Sequence, residues 1–281
     1  MKIPVIILNY NSFEDCKKCV SFLKRQEGVE LEIILVDNCS PDREQVRTLC
    51  QEQGCTFIAN PENRGYNAGN NIGLRYAAEK GYPYALIANP DMEFPQVNYV
   101  QQLVKAIEQD QEIVVVGSDI VGADGIHQSP MFRDGNWHTC FRWLTSFFRK
   151  TTREAYDFID RYQESHYCAK VSGCCLLVRM DFMQCIGFFD EYPFLYCEEA
   201  ILSRQVEWAG KRMYYTTEAQ AIHRHIASTK GDPVLRFRQW KRSRLYFIHR
   251  YSGDHWLGKK ITALSVVVYV GLFTFAKKIK L

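Results

Sequence analysis

The stretch Ile3-Pro4-Val5-Ile6-Ile7-Leu8-Asn9-Tyr10-Asn11-Ser12 decides the fold class of this chain. Its first six residues are apolar and rich in β-branched side chains, which marks a strand buried on both faces, and the run then turns abruptly polar. The same change recurs downstream. Leu31 to Val36 runs into Asp37-Asn38-Cys39-Ser40-Pro41-Asp42, Thr56 to Ala59 into Asn60-Pro61-Glu62-Asn63-Arg64-Gly65, and Tyr84 to Ala88 into Asn89-Pro90-Asp91; Ile113 to Val116 is a fifth strand. Amphipathic segments lie between them, such as Glu14 to Gln26 with Ser12 available as its cap, and another opened by Ser40-Pro41. Strand, helix, strand in repetition predicts an α/β fold with a Rossmann-like, mostly parallel sheet flanked by helices. Ligands of such sheets gather beyond the carboxyl ends of the strands. Asn and Asp are ordinary turn residues, but four such loops on one rim mark a candidate site.

The bulk composition sets limits. A chain of 281 residues buries one sizeable core or one core with an appendage. With 47% hydrophobic and 24% charged residues it is a folding composition, and a net charge of +3 does not nominate nucleic acid as a partner. The opening apolar run stops at Asn9, too early for a signal-peptide core. The cysteines number 11, and an odd count without an export signal reads as reduced thiols. Cys16 and Cys19 have zinc or redox spacing but lack a second pair, and with Val20 and Leu23 they form an apolar helical stripe.

After Val116 the periodicity breaks. Residues 117–168 read as an insertion over the sheet edge on the acceptor side, Val171 to Arg179 as another buried strand, and Glu198 to Ala209 and Val234 to Tyr251 as helices. The expected organisation is one catalytic domain over 1–252 and a membrane-associating segment over 253–281. Arg236, Arg238, Lys241, Arg242, Arg244 and Arg250 alternate with aromatic residues, a pattern that serves anionic lipid headgroups, a lipid diphosphate, nucleic acid or a solvated helix face. Ile261 to Ala276 is uncharged between Lys259-Lys260 and Lys277-Lys278 and extends about 24 Å as a helix. That is short of the ~20 residues of a full crossing, so a C-terminal helical tail lying in or dipping into the membrane is expected, with a buried core helix or a dimer contact as the other readings.

The polar loops, taken together, resemble the family 2 glycosyltransferases with the GT-A fold, in particular rhamnosyltransferase-like bacterial members. The matching pieces are Ile7-Leu8-Asn9-Tyr10-Asn11, Val36-Asp37-Asn38-Cys39-Ser40, Asn63-Arg64-Gly65-Tyr66-Asn67-Ala68-Gly69-Asn70-Asn71-Ile72-Gly73 and Asn89-Pro90-Asp91. Ser172-Gly173-Cys174-Cys175, Gly187-Phe188-Phe189-Asp190-Glu191, Tyr196-Cys197-Glu198-Glu199 and His223 followed by Ser228 continue the order. The likeness covers roughly residues 3 to 250.

The resemblance implies an inverting transferase that moves a sugar, rhamnose or another hexose, from a dTDP- or UDP-sugar onto a hydroxyl of a lipid-linked saccharide for a cell-surface polysaccharide. It implies work at the cytoplasmic face of the inner (plasma) membrane, with no nucleic-acid partner. Donor-side residues are then Asn9, Asn11, Asp37, Asn38, Arg64, Asn67, Asn89 and Asp91, with Asp37 reading base and ribose. A diphosphate leaving group needs positive charge as the glycosidic bond breaks, and a divalent cation, Mg2+ or Mn2+, on hard oxygen ligands supplies it. Asp91 would hold that ion with His223 as a second ligand; His225 competes for the role. Glu199 would be the general base and Glu198 an orienting or acceptor-binding acid.

Two positions depart from the family pattern. Asn89 stands where an acid often precedes Asp91, which leaves the diphosphate to hold most of the ion, and Ile201 stands where another acid often follows Glu199. Gly65, Gly69 and Gly73 present backbone amides to an anion or permit close helix packing. Two rivals are a nucleotidylyltransferase, which would want a glycine-rich, arginine-bearing loop after the first strand, and a non-catalytic module that binds a nucleotide sugar or glycan.

Overall fold

The computed structural model describes residues 1–141, 143–146, 161–224 and 233–279. In chain order the elements are β1 (Lys2–Asn9), α1 (Phe13–Leu23), β2 (Glu30–Asn38), α2 (Arg43–Gln53), β3 (Thr56–Asn60), α3 (Tyr66–Glu79), β4 (Tyr84–Ala88), β5 (Met92–Glu93) and α4 (Tyr99–Glu108). There follow β6 (Ile113–Gly122), α5 (Trp143–Ser146), β7 (His166–Cys168), β8 (Cys175–Arg179), α6 (Met180–Cys185), α7 (Glu198–Trp208), β9 (Arg212–His223), α8 (Pro233–Arg250) and α9 (Trp256–Ile279).

The strands form one sheet in the order β3-β2-β1-β4-β8-β6-β9-β5, with β7 on β9. Alternation along β1 assigns its two faces. Val5 and Ile7 pack with Cys16, Val20 and Leu23 of α1, with α2 and with Leu103 of α4, while Ile6 and Leu8 pack with Leu74 of α3, α6 and Val206 of α7. Both faces are covered, which is why β1 reads as continuously apolar. Cys16 and Cys19 are fully buried in the first of these layers, and burial pushes both thiols up, so they behave as small hydrophobes. Gly69 and Gly73 face β1: a β-carbon there would lie 2.5 Å from Leu8 and 2.6 Å from Ile6, so these two glycines serve close helix packing.

The sheet is parallel through β3, β2, β1 and β4, and β6 runs parallel to β9, but β8 lies antiparallel between β4 and β6. This reversal positions the site. Because β8 runs backwards, the turn that enters it, Ser172-Gly173-Cys174, stands at the carboxyl end of β4, and the Asn89 amide donates to the Cys174 carbonyl at 2.7 Å. The apolar stretch expected from Val171 is therefore strand only from Cys175; its first residues are spent on that turn. Likewise β6 continues through Gly122, and β7 joins the sheet at His166, so both ends of the 117–168 stretch belong to the sheet.

Helix α1 starts one residue after Ser12, yet the Ser12 hydroxyl donates to the Tyr10 carbonyl. Asp42 caps it instead, accepting from the Phe13 amide at 2.9 Å. Helices α8 and α9 pack together beside α7, where Ile201 is buried with Phe247, Ile248 and Val266. Position 201 is apolar because it lies beneath α8.

Candidate active site

The acidic pair opens α7, where negative charge suits the helix N-terminus. The two residues before it, Tyr196 and Cys197, hold φ values of 72° and 67°. Left-handed backbone costs residues with a β-carbon about 1–3 kcal/mol each. Among the described residues five non-glycines have positive φ, and four of them, Asn11, Cys39, Tyr196 and Cys197, lie in loops around this end of the sheet. The strain is thus concentrated at the rim.

Glu199 is held by the turn that β8 brings in. Its Oε1 accepts from the Gly173 amide at 3.3 Å, and a β-carbon on Gly173 would sit 3.1 Å from that oxygen, so glycine makes the room. The Tyr66 hydroxyl donates to the Gly173 carbonyl at 2.8 Å. One turn therefore ties Glu199, the start of α3 and Asn89 together. Burial and the adjacent charge of Glu199 push the Glu198 carboxyl up to about 8, so at neutral pH it favours its protonated form. Gly65, with φ of 101°, lets the chain pass against Phe194: its β-carbon would lie 2.2 Å from the Phe194 carbonyl, which accepts from the Tyr66 amide.

Asp91 and His223, far apart in sequence, meet. Strand β5 pairs Met92 with His223, and the His223 Nε2 stands 3.2 Å from Asp91 Oδ1. Two adjacent ligands of an octahedral hard cation with bonds of about 2.1 Å lie about 3.0 Å apart. The carboxylate oxygen and the imidazole nitrogen therefore fit a shared Mg2+ or Mn2+ ion. No group of three or more His, Cys, Asp or Glu residues able to hold a metal occurs among the described residues, so further ligands would come from a donor diphosphate and water. Burial works against a charged imidazole here, but hydrogen bonds to Asp91 and Cys174 outweigh it and push His223 up to about 10. A cation bound at that nitrogen would have to displace the proton. His225 and Ser228 lie outside the described residues.

The donor-side residues divide into two groups. Asn11, Arg64, Asn89 and Asp91 retain accessible surface. Asn9, Asp37, Asn38 and Asn67 are buried and bonded to the protein itself. The Asp37 carboxylate accepts from Asn9 Nδ2 at 3.1 Å, from Arg43 Nε at 2.7 Å and from the Ser40 amide at 3.3 Å. The Asp37 side chain is wholly enclosed, and Arg43 is one of the three groups bonded to it. Asn38 joins Asn60 and Asn63 across two loops, and Asn67 donates to the Asp190 carbonyl at 2.7 Å. Arg64 pairs with Glu191 at 3.6 Å, at the surface.

Beside Asp91 opens a cleft of about 430 Å³, lined by Asp15, Lys18, Met92, Glu93 and Arg224 among others. Of the residues expected at the site, Asp91 lines this cleft. Arg43, Tyr66, Gln128 and Asp15 were not singled out by the sequence. Of these, Tyr66 lies inside a recognisable motif, whereas Asp15 reads as part of a solvated helix face until burial and Asp91 are seen to push its carboxyl up.

The Glycosyl transferase family 2 pattern matches residues 5–186, well over half of the chain. The chain belongs to glycosyltransferase family 2. The chain is 24% identical over 266 residues to N-acetylglucosaminyl-diphospho-decaprenol L-rhamnosyltransferase of Mycobacterium tuberculosis, covering 89% of this chain and 85% of that one. It is 28% identical over 200 residues to the low-salt glycan biosynthesis hexosyltransferase Agl10 of Haloferax volcanii, covering 70% of this chain and 59% of that longer one. Its fold is shared with the mannosyltransferase PcManGT of Pyrobaculum calidifontis, solved with GDP-Man and Mn2+, at a TM-score of 0.60 and 15% identity, covering 95% of this chain and 69% of that one.

Proposed function

We propose that this family 2 member is a metal-dependent, inverting glycosyltransferase that moves rhamnose or another hexose from a dTDP- or UDP-sugar to a hydroxyl of a lipid-linked saccharide, in cell-surface polysaccharide synthesis at the cytoplasmic membrane face. The observation that supports this reading is the Gly173-Cys174 turn, which bonds to Glu199 through the Gly173 amide and to Asn89 through the Cys174 carbonyl and so links the acidic pair to the loop that carries Asp91. The relatives' printed activities support hexosyl transfer and a polyprenyl-linked acceptor.

The chemistry is a single displacement. Glu199 accepts the proton of the acceptor hydroxyl as that oxygen bonds to the anomeric carbon, and the bond from that carbon to the diphosphate breaks on the opposite face. The proton ends on Glu199, the electron pair leaves with the nucleoside diphosphate, and the configuration inverts. A divalent cation bound by Asp91 and His223 would supply positive charge to the leaving group. Neutral Glu198 adds no second negative charge beside Glu199.

The C-terminal helix supports the membrane assignment. Trp256–Phe275, with mean hydropathy 1.4, is long and apolar enough to cross a membrane. One face is already occupied by protein: Thr262, Ser265, Val266 and Val270 are buried, and the Ser265 hydroxyl accepts from Trp143 at 2.8 Å and donates to the Cys140 carbonyl at 2.6 Å. Leu257, Leu264, Val268, Leu272 and Phe275 lie exposed on the other. A helix clad by protein on one side suits docking in the membrane plane rather than crossing. The side chains of Lys277 and Lys278 lie outside the described residues. On α8 Arg244 turns inward to Asp134, while Arg238, Arg242 and Arg250 remain exposed for anionic headgroups.

Thermal stabilisation of the purified protein by a panel of nucleotide sugars, with and without Mn2+, tests the reading. A dTDP- or UDP-sugar that stabilises only with Mn2+ is the expected result. Stabilisation by none of the panel, or equally without metal, overturns it.

A further inference from the structure

We infer that Gln128 is a positioning residue for the cation site: it sets the tautomer of His223 so that Nε2, beside Asp91, presents its lone pair. The inference rests on the metal-dependent reading above and concerns a residue outside the motifs that carry the family likeness.

An imidazole that binds a cation through one nitrogen must carry its proton on the other, and whatever accepts that proton fixes the ring. The His223 Nδ1 lies 2.7 Å from Gln128 Oε1, and its Nε2 points at Asp91 Oδ1. Gln128 is separated from His223 by 95 positions and arrives there by a reversal of the chain. Strand β6 ends at Gly122, the chain turns through Asp124-Gly125, and the Gln128 amide donates back to the Ile120 carbonyl at 2.8 Å. The sheet register pairs Gly122 with His223. A β-carbon at Gly122 would lie 2.9 Å from Gln128 Nε2, so the space for the carboxamide exists because residue 122 is glycine. The reversal is fastened by His127 Nδ1 to Asp119 Oδ1 at 2.6 Å, and Gln220 Nε2 donates to the other oxygen of Asp119 at 2.7 Å. The carboxamide is thus held at a fixed place on the side of the ring away from Asp91.

The test uses the full chain with Mn2+ and UDP, and separately dTDP, as probes, reading bound Mn2+ by electron paramagnetic resonance. Gln128→Leu removes the acceptor at similar volume, and Gln128→Glu keeps one. Leu is expected to weaken Mn2+ binding about 10- to 100-fold while Glu stays within a few-fold of wild type. In the Mg2+-loaded wild type, the nitrogen-15 spectrum should show the His223 proton on Nδ1. Equal Mn2+ affinity of the Leu variant and wild type overturns the inference and leaves the metal reading standing, whereas a proton on Nε2 overturns the inference and removes His223 from the cation site. Failure of wild type to bind Mn2+ with either nucleotide removes the metal reading and the inference with it. Should the Leu variant not fold, the wild-type spectrum decides.

Discussion

At the scale of single residues, the geometry around Glu199 depends on an absent side chain. Gly173→Ala places a methyl group 3.1 Å from the Glu199 oxygen and 3.2 Å from its Cγ, so the carboxylate must give way by a few tenths of an ångström. We expect kcat to fall about 10-fold, since misplacing a reacting group is costly, while donor affinity measured by calorimetry stays unchanged. A fall in donor affinity with kcat intact would place Glu199 on the wrong side of the reaction. Glu198 offers a second test, through pH. Its folded-state value of about 8 lies above the ordinary 4.5, so the neutral carboxyl contributes stability that is fully present below about 4.5 and is lost as pH rises through about 8. Glu198→Gln should therefore gain melting temperature relative to wild type as pH climbs through that window; a constant difference would show that burial is not raising the group. The acidic pair was legible because two adjacent carboxyls before an amphipathic helix form a local pattern. The enclosure of Asp37 by Arg43 was not, because the sequence shows an acid after a strand and nothing of the guanidinium that covers it.

At the scale of elements, long-range side chains do work that local propensity would assign to neighbours. Asp42 rather than Ser12 caps α1, and a cap supplied from about 30 positions away leaves no trace in the helix's own sequence. The antiparallel course of β8 was equally hidden, since a short strand buried on both faces carries no mark of its direction, whereas β1 to β4 were readable from their apolar runs and polar ends. Between elements, Asp134 accepts from Lys170 at 2.7 Å and from Arg244 at 2.6 Å, fastening the segment after β6 to the approach to β8 and to α8. Burial alone would raise this carboxyl, but the two cations hold it below the ordinary value. The pairing thus contributes stability present above pH about 4 and lost as pH falls through the lower folded-state value. Asp134→Ala leaves two half-buried cations without a partner and should cost roughly 3 kcal/mol, read by urea unfolding at pH 7, with the difference from wild type closing at low pH. A difference below experimental scatter at pH 7 would mean the triad is solvated.

At the scale of the whole molecule, one end of the sheet gathers the acidic pair, the Asp91–His223 pair and most of the strained residues, while α8 and α9 attach a basic, apolar surface beside α7. Deleting α9 would expose Phe247, Ile248 and Tyr251, so point substitutions on its outer face are the cleaner probe. Burying one leucine in lipid is worth about 1.5–3 kcal/mol. Leu264→Asp and Leu272→Asp should each weaken binding to anionic vesicles about 10-fold or more with the melting temperature unchanged; unaltered sedimentation with vesicles would assign that face to another partner.

In the proposed reaction Glu199 takes the acceptor's proton while Asp91 and His223 would hold the cation. Nucleoside diphosphate release from donor and a lipid-linked saccharide acceptor, compared between wild type and Glu199→Gln in Mn2+, tests it most directly. Wild type should release the nucleoside diphosphate only with Mn2+, and the variant should lose about 100-fold or more with donor binding retained. Near-normal release by Glu199→Gln, or release by wild type that ignores Mn2+, would contradict it.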